Sequence, residues 1–426
     1  MSTTELYTLY LQHTSVQTDT RKLKKGDLFF ALKGPSFNGN AFAAKAIESG
    51  AAYAVIDDPD YEIEGKTVLV NDTLQALQEL ALHHRKQFNI PFLAITGSNG
   101  KTTTKELIHA VLSTSFKAYT TEGNLNNHIG VPLTILKLRK DAEIAVIEMG
   151  ANHRGEIASY CRMALPTHGL ITNCGKAHLE GFGSEEGVKK GKGELFDHLR
   201  DHHGMVFLMN DYDYLKSMST GIDKRYSYGT HDADVTGNVS GSHPFLTVAF
   251  KKGFEGEIHT RLVGDYNLPN VLAAVAAGKY FGVATENILE AIENYAPNNS
   301  RSQLVQKGSN TIILDAYNAN PSSMKAAIEN FSKNENKDKI LALGAMAELG
   351  IESRKEHEWL VKEIGKHQWK EVLLIGGDFL KTDHPYQKFE TAADAGSWLK
   401  HRHIENACFL IKGSRSMQME KLLEYL

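Results

Sequence analysis

Ten residues constrain this chain more than any others: Ile95-Thr96-Gly97-Ser98-Asn99-Gly100-Lys101-Thr102-Thr103-Thr104. The apolar run PFLAI before them reads as a short buried strand, and KTTTKELIHAVLSTS after them reads as a helix. A glycine-rich turn between strand and helix is the context a phosphate loop requires. Its glycines let backbone N–H groups turn inward around phosphate oxygens, Lys101 brings a cation to them, and the Thr102 hydroxyl is available to Mg²⁺. The element is shorter than the usual G-x-x-x-x-G-K-[ST], because Ile95 stands where the first glycine would be. A glycine-rich turn alone is common. The flanking strand and helix turn the reading toward ATP or GTP, without saying what the nucleotide's energy does.

The pattern on either side of this loop divides the chain. Its 426 residues predict two or three domains at roughly 100–200 residues each. Before Pro91 the order is strand (Leu28 to Leu32), helix (FAAKAIESGA), two strands (AAYAVIDD, KTVLV) and an amphipathic helix carrying Leu74, Leu77, Leu80 and Leu82. That order predicts a small mixed α/β domain with a mixed sheet, residues 1–86. From 87 to 300 the βαβ rhythm of PFLAI, AEIAVIEM and HGLITN predicts a central parallel-sheet domain of the phosphate-loop ATPase type. A β-rich patch follows from RYSYG to GEIHTRLVG, then the helix LPNVLAAVAAGKYFG and a polar linker, YAPNNSRSQ. From 301 to 426, TIILDAY, KILALGAM, EVLLIGG and ACFLIKG are four apolar strands separated by helices, a doubly wound, Rossmann-like third domain.

Composition narrows the class of partner. Lys+Arg number 47 against 51 Asp+Glu, a net charge of -4, so no cationic excess points to nucleic acid or a membrane surface. No stretch approaches the roughly 18 apolar residues that span a bilayer. Three cysteines, Cys161, Cys174 and Cys408, show no paired spacing, which disfavours both a disulfide framework and a structural zinc site. A cytoplasmic protein is expected.

Four more segments gather on one sheet edge. Glu148 ends the second strand, and His178 and Glu180 follow the third. Lys189, Lys190 and Lys192 open a helix, and GNLNNHIGVP (123–132) is a polar loop between the phosphate-loop helix and Glu148. Taken singly, Glu148 is a strand-end ion pair, His178 a capping residue and the lysines a solvated face. Together beside a phosphate loop they read as a site.

At this point the sequence resembles the Mur ligases, ATP-dependent amide-forming enzymes of peptidoglycan synthesis, over nearly its whole length. The stretches that carry the resemblance include DTRKLKKGDLFFALKG, FNGNAFAAKAIESGA, TGSNGKTTTKE, GNLNNHIGVPLT, EMGANHRGEI and AHLEGFGSEEGV. They continue with GDYNLPNVLAA, NSRSQ, DAYNANPSSM, LGAMAELG and IKGSRSMQME. One departure stands out: the family usually has LGDM where this chain has Leu343-Gly344-Ala345-Met346. The carboxylate missing at Ala345 must be dispensable or replaced.

The resemblance implies roles. Gly97, Ser98, Asn99, Gly100, Lys101, Thr102 and Thr103 would cradle ATP, with Asn270, Arg301, Asp315, Asn318 and Asn320 also at the nucleotide. Thr102 and Glu148 would hold Mg²⁺, and His178 would stand near a second Mg²⁺. A lysine of GVKKGKGE would be carbamylated by CO₂, by position Lys192, with Lys189 and Lys190 as alternative registers. Lys101, His178 and Lys192 would thus be the catalytic set. Thr20, Arg21, Lys33, Gly34, Asn38 and Asn40 lie in the segment that would hold a UDP-sugar. The DAYNANPSSM and KGSRSM pair implies D-alanyl-D-alanine as the amine and UDP-N-acetylmuramoyl-tripeptide as the carboxylate, joined through an acyl phosphate by a monomer. Rival readings keep the chemistry with another substrate, a third-residue-adding or folylpolyglutamate-like ligase. Another changes the class, to a regulatory phosphate-loop NTPase.

Overall fold

Parallel strands with helical crossovers build three sheets in succession along the chain, of four, nine and six strands, beside a two-stranded hairpin. The structure is a computed structural model and describes residues 1–13, 15–242 and 244–426. Among these no helix is long and apolar enough to cross a membrane.

The first sheet orders Val16–Gln17, Leu28–Phe30, Tyr53–Ile56 and Thr67–Leu69, all parallel. It corrects the expected mixed sheet, since antiparallel pairing here is confined to the separate hairpin of Lys33–Gly34 and Phe37–Asn38. A helix that the sequence reading did not identify, Thr3–His13, buries Leu6 and Tyr10 against helix Thr73–Arg85. Tyr10 donates its hydroxyl to the Leu136 carbonyl at 2.6 Å. Arg85 donates to the carbonyls of Ala164, Leu165 and Phe88 and lies 3.6 Å over the Phe92 ring. A buried guanidinium needs such partners, and here they rivet the first unit to the strand that precedes the phosphate loop.

In the central sheet, Phe92–Thr96 lies between His168–Ile171 and Ile144–Glu148, parallel to both. The chain builds Ala118–Thr120 and Ile144–Glu148 on one side of it, then His168–Ile171, Met205–Met209 and Lys224–Gly229 on the other. That reversal is a topological switch point, where an open parallel sheet leaves a crevice at its carboxyl edge. The phosphate loop sits in it. The far end of the sheet turns antiparallel through Val235–Gly241, Thr247–Lys252 and Glu257–His259, the β-rich patch of the sequence.

The third sheet shows its double winding in the alternation of its strands. Ile313, Leu341, Leu374 and Leu410 face helices Pro321–Ser332 and Ser353–Ile364. Their neighbours Ile312, Leu314, Ala342, Leu373 and Phe409 face helix Ala392–Arg402 and Leu422. Strands buried on both faces read as continuous apolar runs, which made four of them legible. The other two are edges: Gln303–Lys307, antiparallel to Asn310–Asp315, and the short Gln387–Phe389.

Candidate active site

Two glycines set the shape of the phosphate loop. Gly97 has φ +146°, and a Cβ there would fall 2.0 Å from Thr172 Oγ1. Gly100 has φ +80° and would meet Asn270 Oδ1 at 2.6 Å. Side chains are excluded at both positions by strain and by space. Helix Lys101–Ser113 then starts with its N–H groups directed into the cleft.

The loop is held from both sides. Ser98 N donates to the Asn173 carbonyl at 2.8 Å, and Ser98 Oγ both donates to Gly175 O and accepts from Gly175 N, each at 3.0 Å. Asn99 N donates to Asn173 Oδ1 at 3.0 Å, and Asn99 Oδ1 accepts from Asn320 Nδ2, at 2.7 Å, from the third unit. Lys101 Nζ donates to Gly97 O at 2.7 Å and to Ser98 O at 3.3 Å, which keeps the ammonium inside the loop's concavity. Burial lowers its pKa to about 8, opposed by Glu148 and reinforced by Arg301.

Thr102 Oγ1 donates to Glu148 Oε1 at 3.2 Å, and Asn126 Nδ2 donates to the same oxygen at 2.7 Å. Glu148 is 1% exposed, and its Oε2 is buried without a hydrogen-bond partner. A buried carboxylate oxygen left over beside a hydroxyl fits a hard cation. Among the described residues no group of three or more His, Cys, Asp or Glu gathers around one point, so such a cation would take its remaining ligands from nucleotide and water. The loop 123–132 thus supplies Asn126, a residue the sequence reading placed near the site without giving it a role.

His178 has φ +52° and lies 2.5 Å, Nδ1 to Oε2, from Glu348 of the third unit. That contact holds the Glu348 carboxyl below its ordinary range. Lys192 is fully buried in helix Glu185–Asp201, donates from Nζ to the Ala151 carbonyl at 2.9 Å and faces the Phe182 ring at 4.9 Å. Burial first, then repulsion from Lys101, brings its pKa down to about 7. Lys189 and Lys190 lie on the same helix but are not fully buried.

The phosphate loop, Glu148, His178, Asn270, Arg301, Asp315, Asn318 and Asn320 line one cleft of about 1590 Å³. Asn270 accepts from Thr104 Oγ1 at 2.9 Å. Arg301 lies 3.5 Å over the Tyr317 ring with Nε buried and unpartnered. Asp315 is paired at 2.6 Å with Lys412 Nζ, which also donates to the Asn318 carbonyl at 3.2 Å. The sequence reading gave no role to Lys412 or Glu348, although both stand in segments it quoted. Ala345 is buried, with its carbonyl accepting from Ser414 Oγ at 2.6 Å and its Cβ against Gly377.

None of the six residues assigned to a UDP-sugar lines this cleft. Lys33 pairs with Asp57 at 2.9 Å, and Arg21 with Asp19 at 2.8 Å. Asn40 is buried, donating to Asp57 Oδ1 at 2.7 Å and to Asn38 Oδ1 at 2.8 Å, so its amide holds the hairpin loop together. Thr20 opens a short 3₁₀ turn, and Gly34 lies beneath the Phe37 ring.

Known proteins share this sequence family and fold. Residues 12–85 match the family model described as Mur ligase family, catalytic domain; residues 95–278 match the Mur ligase middle domain, and residues 300–415 the Mur ligase, glutamate ligase domain. The UDP-N-acetylmuramoyl-tripeptide--D-alanyl-D-alanine ligase of Bacillus subtilis (strain 168) is 36% identical over 96% of this chain and 92% of its own. A crystal structure of MurF from Acinetobacter baumannii superposes with a TM-score of 0.87 at 30% identity, covering 96% of this chain and 92% of that one. The MurF ligase of Thermotoga maritima in complex with ADP gives 0.85 at 25% identity, over 97% of each chain.

Proposed function

The chain belongs to the Mur ligase family, and we propose that it joins D-alanyl-D-alanine to UDP-N-acetylmuramoyl-tripeptide at the expense of ATP, in peptidoglycan precursor synthesis. It is an enzyme, an ATP-dependent acid–amino-acid ligase. The substrate reading is carried by the 36% identity to the Bacillus subtilis ligase over 96% of the chain; the ATP reading is carried by a phosphate loop and a half-satisfied Glu148 on one wall of a cleft whose other wall is Asp315, Asn318 and Asn320. A nucleotide between those walls would touch two units at once. In this reading residues 1–86 hold the UDP-sugar, 87–300 the phosphates and 301–426 close over the nucleotide. A cytoplasmic monomer suits substrates that are themselves water-soluble.

The tripeptide's carboxylate oxygen attacks the γ-phosphorus, the bond to the bridging oxygen breaks, and ADP leaves. The dipeptide amine then attacks the acyl carbon and phosphate departs. Two anions meet in the first step, so the residues must supply positive potential. Lys101, protonated for the most part at pH 7 with its pKa of about 8, and the N–H groups of helix Lys101–Ser113 do so. Thr102 and Glu148 would hold Mg²⁺, with His178 and a carbamylated Lys192 near a second ion, and the metal when bound would supply further positive charge to the phosphates. The Lys192 amine suits carbamylation: its pKa of about 7 leaves a large unprotonated fraction to react with CO₂, and the product replaces a buried cation facing Lys101 by an anion. Closure of the third unit keeps water from the acyl phosphate.

Incubation with ATP, UDP-N-acetylmuramoyl-tripeptide and D-alanyl-D-alanine, followed by mass spectrometry, tests the reading. The expected product is the tripeptide conjugate extended by one dipeptide. ATP hydrolysis indifferent to both co-substrates would instead support a regulatory NTPase.

A further inference from the structure

We propose that Lys176 and Glu356 are positioning residues for the ligation, an ion pair between a half-exposed ammonium and a buried carboxylate that seats the third unit on the nucleotide cleft; the inference rests on the ligase reading above. Lys176 follows strand His168–Ile171 of the central sheet, and Glu356 lies in the first turn of helix Ser353–Ile364. Their Nζ and Oε1 are 2.7 Å apart. Glu356 is 3% exposed, and its Oε2 is buried with no partner. Among the described residues, the hydrogen bond that reaches this carboxylate comes from Lys176, across the boundary between the two units. Within its own unit Lys355 and His357 act on the charge only through space, without a hydrogen bond to it among the described residues.

That asymmetry has a direction. A buried carboxylate with its cation is tolerable, and the same carboxylate without it is strongly unfavourable. Parting the two units would leave Glu356 to water or to nothing, so the pair favours the docked arrangement. Lys176 is also fixed by its neighbours. Its N–H donates to Ser322 Oγ at 3.1 Å, its ammonium lies 5.7 Å from the Trp359 ring centroid, and Glu185 stands 3.9 Å away at the surface.

The consequence reaches the cleft through the chain itself. One residue before Lys176, Gly175 is bonded in both directions to Ser98 of the phosphate loop. Two residues after it, His178 meets Glu348. A strip of four residues therefore carries the phosphate loop on one side and the third unit on the other, with Lys176 as its outward anchor. The His178–Glu348 contact lies in the cleft and must change whenever His178 takes another partner. Neither Lys176 nor Glu356 lines the cleft, so substrates need not displace this pair in order to bind.

The test is a mutant cycle on the full chain, read by ligation kinetics with all three substrates. Lys176→Met leaves the carboxylate orphaned and should lower kcat/KM for ATP by at least about tenfold. Direct titration of UDP-N-acetylmuramoyl-tripeptide should stay within about twofold of wild type, since that ligand's unit is untouched. Lys176→Met/Glu356→Leu removes the orphan and should recover to within about threefold of wild type. Small-angle scattering should show Lys176→Met expanded and the double variant compact. Wild-type kinetics in Lys176→Met, or losses that simply add in the double variant, would overturn the proposal. If Lys176→Met fails to fold, the double variant decides: compact and active supports the bridge, while folded with at least about a tenfold loss ends it. A wild-type enzyme that makes no ligated product would fail the ligase reading itself, before any variant is compared.

Discussion

Thr102 Oγ1 donates to Glu148 Oε1 across 3.2 Å, linking the first turn of the phosphate-loop helix to the end of the neighbouring strand. The link uses only half of the carboxylate, because Oε2 stays buried and unpartnered. A strand-end ion pair, the plain alternative for Glu148, would have used that second oxygen.

Glu148→Gln is expected to keep the bond from Thr102 and lose the charge. Ligation at fixed Mg²⁺ should fall about 100-fold, with partial recovery as Mg²⁺ is raised. Circular dichroism should be unchanged. An enzyme indifferent to this substitution would remove Glu148 from the site.

Lys101→Ala should leave the fold intact and lower turnover by roughly 10²–10³-fold, because a cation aimed at developing phosphoryl charge is lost. Among the described residues its ammonium donates to two loop carbonyls, Gly97 and Ser98, so little stability depends on it. Turnover at the wild-type rate would contradict the assignment.

How much of this was legible in the sequence follows the range of the signal. The phosphate loop, Glu148 and the four buried strands of the third sheet have local signatures of period, length and turn chemistry. Met205–Met209 had one too, a run of five buried apolar residues, and went unread. Gln303–Lys307 is polar and half exposed, and Gln387–Phe389 has three residues, two of them exposed; edge strands offer no continuous apolar run to find. The pairings of Lys412 with Asp315 and of Glu348 with His178 join residues 97 and 170 positions apart. No local pattern encodes those contacts: the first exists once the sheet register sets Asp315 opposite Lys412, and the second once the third unit packs on the central one.

That register yields a prediction of its own. Lys412 is 3% exposed and its Nζ is shared between Asp315 Oδ2 and the Asn318 carbonyl, so it fixes the segment that faces the nucleotide. Asp315→Ala and Lys412→Met should each weaken ATP use by roughly 10–100-fold, as expected for a hydrogen bond between charged groups. The double variant should be no worse than the poorer single one. UDP-ligand affinity measured by calorimetry should hold throughout, and its loss would contradict the division of labour between units.

His168 and His198 are both held neutral by burial, with pKa values down to about 4. An unfolded chain would protonate them near pH 6.5, so it binds more protons than the folded one between pH 6.5 and 4. Their contribution is therefore present above pH 6.5 and is lost as pH falls through that window. His168 packs among Phe207, Tyr280 and Phe281, which makes His168→Phe a shape-compatible control. Scanning calorimetry should find that Tm falls about 1–3 °C less in the variant than in wild type between pH 6.5 and 4.5. Parallel curves would show that His168 does not titrate as its burial requires.

Lys192 offers the sharpest contrast, because its two states differ in the sign of the charge. As an ammonium it is buried against Phe182 with one carbonyl partner, Ala151, and is repelled by Lys101. As a carbamate it would present an anion on the side where Lys101 and a bound cation need one. The carbamate predicts that Lys192→Ala is nearly inactive and is partly restored by acetate, which refills the anionic position. Lys192→Arg, which cannot be carbamylated in the same way, should be as poor as the alanine variant and insensitive to acetate. The ammonium predicts the reverse: Arg keeps the charge and much of the activity, and acetate does nothing. Ligation rates of the two variants with and without acetate therefore separate the states, and near-wild-type activity in Lys192→Arg would end the carbamate assignment.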